Sequence, residues 1–127
     1  MAKAEYVLYG NFDEIVGYVQ QGVLAGSSSA SYEDGSDIVA EDVRCAVRVF
    51  ERYSWTGGNR VSLAVTMMGY NGAVYLSAIA SGGSTALMTK INTMGETAFL
   101  DTLANVALAW QRWTAQQAGQ PGATPPR

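Results

Sequence analysis

Asn71-Gly72 is a preferred pair for the two-residue turn of a β-hairpin, because both central positions of that turn need a positive φ. Pairing Tyr70 with Ala73 across it sets Met67 opposite Leu76, Val65 opposite Ala78 and Leu63 opposite Ala80. Three apolar pairs then share one face of an antiparallel hairpin.

A third strand precedes the hairpin. In Val43 to Tyr53 the odd positions Val43, Cys45, Val47 and Val49 are apolar, while the even positions hold Arg44, Arg48 and Arg52 together with Ala46 and Phe50. Period two means a strand with unlike faces. Placing the odd residues on the same face as Val61, Leu63, Val65 and Met67 requires an odd-numbered connection. A three-residue loop Thr56-Gly57-Gly58, pairing Trp55 with Asn59 and Tyr53 with Val61, supplies it, whereas a two-residue turn at Gly57-Gly58 does not. The spacing therefore predicts an inner face of odd residues and an outer face carrying the arginines.

Around these strands the signals are helical. Glu5 to Tyr9 is a short strand, and Asn11 with Glu14 forms a capping box before Phe12, Ile15, Val16, Val19 and Val23, whose spacing predicts a helix stopped by Gly26. Ser27 to Glu33 reads as a polar edge strand, and Asp34 to Asp42 as an acidic connecting loop without the spacing of a calcium loop. Ser81 to Asn92 has no clear assignment, and its glycines lack a phosphate-loop ending. Thr93 and Glu96 form a second capping box. Beyond them Phe99, Leu103, Val106, Trp110 and Trp113 recur in steps of four and three, the stripe of a long helix that lies over small residues Ala78 and Ala80.

The fold class that follows is α+β: a two-layer domain over residues 1–118 with a five-stranded antiparallel sheet, order β-α-β4-α, and two helices on one face. Residues 119–127 form a Pro/Gly tail predicted to be disordered. A chain of 127 residues buries about two thirds of its unfolded surface, enough to fold without disulfide or metal. No apolar run is long enough to span a membrane and no signal-peptide pattern is present, so the expected location is the cytoplasm. One cysteine alternating onto an apolar strand face agrees with that.

The element order resembles TBP-like and reduced helix-grip folds, in which the first strand pairs with the last. VRCAVRVFERYSWTGGNRVSL (43–63), SAIASGGS (77–84) and KINTMGETAFLD (90–101) also resemble the signature segments of a small bacterial family of unknown function, over Tyr9 to Leu103. The resemblance implies a bacterial source and a compact single domain, and no activity, cofactor or catalytic residue.

Function has two candidate places. On the predicted outer face, Phe50, Ala64 and Ile79 line up across three strands among Arg44, Arg48, Arg52 and Arg60, with Met68, Tyr70 and Tyr75 toward the turn. Arginine and aromatics are enriched at interfaces, so this is a candidate surface for a homodimer. Nucleic acid is disfavoured by a net charge of −3 and the lack of a matching motif. Between the inner face and the long helix, Leu63, Ala78, Ala80, Phe99 and Leu103, with Glu51 as a carboxylate anchor, are candidates for a pocket taking a small apolar ligand. No catalytic set is visible: histidine is absent, cysteine is single, and neither metal spacing nor a cofactor fingerprint is present.

Overall fold

The primed turn forms where Asn71-Gly72 places it, with φ 56° at Asn71 and 80° at Gly72. The computed structural model describes residues 2–53, 60–82 and 89–119, with side chains described in the last segment from 97 to 117. The elements are β1 (Ala2–Tyr9), α1 (Phe12–Ala25), β2 (Ser31–Ala40), β3 (Val43–Tyr53), β4 (Arg60–Tyr70), β5 (Ala73–Gly82) and α2 (Thr89–Gly119). The sheet is antiparallel throughout, in the order β1-β5-β4-β3-β2, so the first strand does pair with the last.

The β4–β5 register is the one the turn dictates: Met67 faces Leu76, Val65 faces Ala78 and Leu63 faces Ala80. All six side chains are buried beneath the helices. The β3–β4 register is not the expected one. Tyr53 pairs with Arg60, Arg52 with Val61, Phe50 with Leu63 and Ala46 with Met67. Even residues of β3 thus join the odd residues of β4 on the helix side, and Val43, Cys45, Val47 and Val49 face the opposite way. The connection has even parity; the predicted three-residue loop lies outside the described residues. Sequence alternation misleads because both faces of β3 hold apolar residues, and α1 supplies polar partners for the arginines.

α1 begins as its capping signal indicates, with Asn11 Oδ1 accepting the Glu14 N–H at 2.9 Å, and ends at Gly26, whose N–H reaches the Gly22 carbonyl. Its stripe Ile15, Val16, Val19 and Val23 is buried. β2 is longer and later than predicted. Ser27 to Ala30 is a connection, and the acidic stretch through Ala40 is strand, bulged at Glu33 and followed by a Glu41-Asp42 turn. The open edge of β3 overrides the low strand preference of Asp and Gly. α2 starts at Thr89, so Thr93 lies inside the helix rather than at its cap. Residues 83–88 of the unassigned connection and the tail beyond Gly119 lie outside the described residues.

α2 lies over β1, β5 and β4. Its stripe is buried as expected at Phe99, Leu103 and Trp110, with Ala107 among them and Val106 and Trp113 packed at the margin. Trp110 ties several parts together. Its ring packs on Gly10, which has φ 143° and leaves only 3.2 Å where a Cβ would stand, and its Nε1 donates to the Tyr9 carbonyl at 2.9 Å. The helices run antiparallel, with Tyr18 against Trp110 at 5.0 Å between ring centroids and the Tyr18 hydroxyl donating to the Val106 carbonyl at 3.0 Å. At Gly22 they are too close for a side chain, since an added Cβ falls 2.7 Å from one Val106 methyl. Gly22→Ala and Val106→Ala are therefore expected to be non-additive in urea unfolding, the double variant recovering about 1 kcal/mol of overpacking relative to the sum of the singles. Simple additivity would mean that the crossing is looser than described.

Candidate functional site

Arg44, Arg48 and Arg52 follow one another along the helix-facing side of β3; α1 meets the first two and Ser27, just beyond it, the third. Asp13 Oδ1 and Oδ2 accept from both terminal nitrogens of Arg44 at 2.7 and 2.8 Å. Gln20 Oε1 accepts from Arg48 Nε at 3.2 Å, and the Ser27 hydroxyl lies 3.4 Å from Arg52 Nη1. Seven helical residues rise about 10.5 Å and four strand residues about 13 Å, so partners spaced by seven can serve arginines spaced by four. Long side chains absorb the difference.

The three rungs differ in character. Arg44 is 44% exposed and its guanidinium lies 4.6 Å from the Phe12 ring centroid. Phe12 in turn lies against Gly69, where a Cβ would collide with the ring. Arg48 is the enclosed rung, 13% exposed, donating also to the Asp37 carboxylate at 3.0 Å and to the Val47 carbonyl at 2.9 Å. Arg52 has no carboxylate partner among the described residues. Its Nε is buried without an acceptor, its guanidinium lies 5.0 Å from the Phe99 ring, and burial pushes its pKa down from the ordinary value. Phe50, expected on the outer face, is wholly buried, with the ring of Tyr32 at its edge. These four residues are thus removed from the predicted outer surface.

Glu51 moves the other way. It lies on the outer face at the end of the sheet, 2.6 Å from Arg60 Nη2, and accepts from the Ser62 hydroxyl at 3.3 Å. Arg60 also approaches Glu33 at 3.8 Å and lies over the Tyr53 ring. Glu51 therefore cannot anchor a ligand under α2. The other pocket candidates, Leu63, Ala78, Ala80, Phe99 and Leu103, are all at 0% exposure and form part of one packed cluster.

What remains on the outer face is largely apolar. Ala64, Met68, Tyr70, Tyr75 and Ile79 are there as expected from the β4–β5 register, with Met68, Tyr70, Tyr75 and Ile79 between 40% and 50% exposed. Val43, Cys45, Val47 and Val49 join them, half-buried by their neighbours in the sheet. Sequence reasoning missed these four by assigning them to the core. A usable signal was present: Asp13, Gln20 and Ser27 recur every seven residues in and just after α1, a polar row that asks for polar partners. From Val43 to Val49, Ser62 to Tyr70 and Ala73 to Ser81, the outward residues carry no charge. Charge appears at the margins, at Lys3 and Glu5 on β1, Asp34 on β2 and the Glu51–Arg60 pair at one end. Neither helix covers this face.

Two measurements check the ladder. Arg48→Ala strips packing and several hydrogen bonds at once and is expected to cost about 2 kcal/mol in urea unfolding; an unchanged midpoint would remove Arg48 from the core. The hydrogen bonds from Arg44 hold the Asp13 carboxyl below its usual pKa. The resulting stabilisation is present above the ordinary carboxylate pKa of about 3.9 and is lost as pH falls through the lower folded value. An NMR titration of Asp13 is expected to move upward in Arg44→Ala, and an unchanged midpoint would contradict the pairing.

A search of curated proteins returns no match. The model of a protein family described as "Family of unknown function (DUF6054)" matches residues 1–111, and the chain belongs to that family.

Proposed function

We propose that the protein acts through protein contact on the outer sheet face, and that the occupant is a second copy of the chain, stacked sheet on sheet. The observation that carries this reading is the orientation of β3: its most aliphatic alternation, Val43, Cys45, Val47 and Val49, points away from the helices. Five strands spaced by about 4.8 Å and paired over about ten residues offer a face of about 800 Å², the area per partner of a standard stable interface. The central part of that face, on β3, β4 and β5, carries no charge and is rich in exposed apolar side chains, which supports a contact site there. A two-fold axis suits the margins, because Lys3 and Glu5 carry opposite signs on one strand and can answer each other across a copy. Aligned stacking of two twisted sheets is a common way to bury such faces.

Ala64 lies at the centre of the face, between Val49 and Ile79. In sedimentation equilibrium the wild-type chain is expected to be dimeric. Ala64→Glu brings an unpaired charge into the contact, expected to cost about 3 kcal/mol, or about a hundredfold in dissociation constant, with the monomer's circular dichroism unchanged. A wild-type chain that stays monomeric, or an Ala64→Glu dimer as tight as wild type, would overturn the reading.

A further inference from the structure

The two edges of the sheet are treated differently. At β1 the Val7 and Tyr9 carbonyls accept from Gln111 Nε2 at 3.1 Å and Trp110 Nε1 at 2.9 Å, so α2 covers the Val7–Tyr9 end of that edge. At β2 all ten residues are exposed. One polar contact there shows which way its backbone groups point. The Gly35 N–H is held by the Asp34 carboxylate at 2.8 Å and so turns away from β3. Alternation along an antiparallel ladder gives Asp37 and Val39 the same outward direction. Arg48 agrees, lying within 3.4 Å of both the Ser36 and Val47 carbonyls, which belong to a pair facing each other across β2 and β3.

Charge then selects the occupant. Residues 31–42 hold five carboxylates and no basic residue. Asp37 is spent on Arg48 and Glu33 lies near Arg60, while Asp34, Glu41 and Asp42 have no ion-pair partner among the described residues. A second copy is disfavoured at this edge. Two β2 strands paired about Ile38 bring the Asp34 end of each against the Glu41-Asp42 turn of the other, and like charges brought together there repel. The Glu33 bulge further interrupts pairing at one end. Between these carboxylates without ion-pair partners, Ile38 and Val39 are 59% and 68% exposed on opposite faces. We propose that the β2 edge accepts an extended, lysine- or arginine-bearing segment of a partner protein as a sixth strand. Main-chain bonds to Asp37 and Val39 supply the pairing, apolar residues cover Ile38 and Val39, and basic residues at its ends answer Asp34 and the Glu41-Asp42 turn, about 23 Å apart.

The test uses the full chain and a fluorescein-labelled eight-residue peptide with a Val-Thr-Val-Thr centre and two lysines at each end, followed by fluorescence anisotropy at low salt. Saturable binding is expected, weakened at least tenfold when Asp34→Asn, Glu41→Gln and Asp42→Asn are combined. Val39→Pro is expected to abolish it while leaving the fold intact, because proline is tolerated where an edge N–H points to solvent. A peptide of the same charge, N-methylated at alternate residues, is expected not to bind. Absence of wild-type binding, or equal binding by the N-methylated peptide, would overturn the proposal. Monomeric Ala64→Glu is expected to bind the peptide as wild type does, so failure of the face-to-face dimer and failure of the edge site are separable.

Discussion

The contact between Arg48 on β3 and Gln20 on α1 is the middle rung of a ladder that decides which side of the sheet the helices cover. Asp13, Gln20 and Ser27 offer oxygen at intervals that match Arg44, Arg48 and Arg52. If β3 were turned over, three valines and Cys45 would enter the core, and Ala46 and Phe50 would leave it together with the enclosed Arg48 and Arg52. That alternative exchanges one set of apolar side chains for another. It loses because Phe50 and Ala46, set between the arginines, fill the space beneath α1 and α2, and because the polar row around α1 would then be left without partners.

The rest of the molecule follows from this choice. With the arginines on the helix side, the valine face of β3 joins Ala64, Met68, Tyr75 and Ile79 on the other, and the sheet acquires a broad uncharged surface. The same ladder shapes the edge. Arg48 reaches Asp37, holding acidic β2 in the sheet, while the Glu33 bulge and the Asp34 carboxylate protect one half of its outward side. Face and edge are therefore different surfaces with different chemistry, one suited to an apolar copy and the other to a basic strand.

Much of the fold was legible in the sequence, where a single local rule was strong enough to act alone. The Asn71-Gly72 turn set the β4–β5 register, Asn11 opened α1, and the Phe99–Trp113 stripe defined the buried side of α2. Reading failed where two patterns competed. In β3 both alternations contain apolar residues, so the choice of face rested on partners in α1, and no rule of strand periodicity includes them. The acidic stretch from Asp34 to Asp42 reads as a solvated loop because charge runs usually are, whereas pairing with β3 makes it strand as far as Ala40. For the candidate site, residues on β4 and β5 were placed correctly because their register was secure. Every misplaced residue, Arg44, Arg48, Phe50, Arg52 and Glu51, lies on β3.

Cys45, the one cysteine of the chain, sits on the outer face beside Met68, which makes it a native probe of whether that face is covered. The most direct measurement is the rate of its alkylation by a small maleimide as protein concentration is raised through the range of self-association. The rate is expected to fall as the faces close over one another, and to stay high in Ala64→Glu. A rate constant independent of concentration, equal in the two proteins, would contradict face-to-face association.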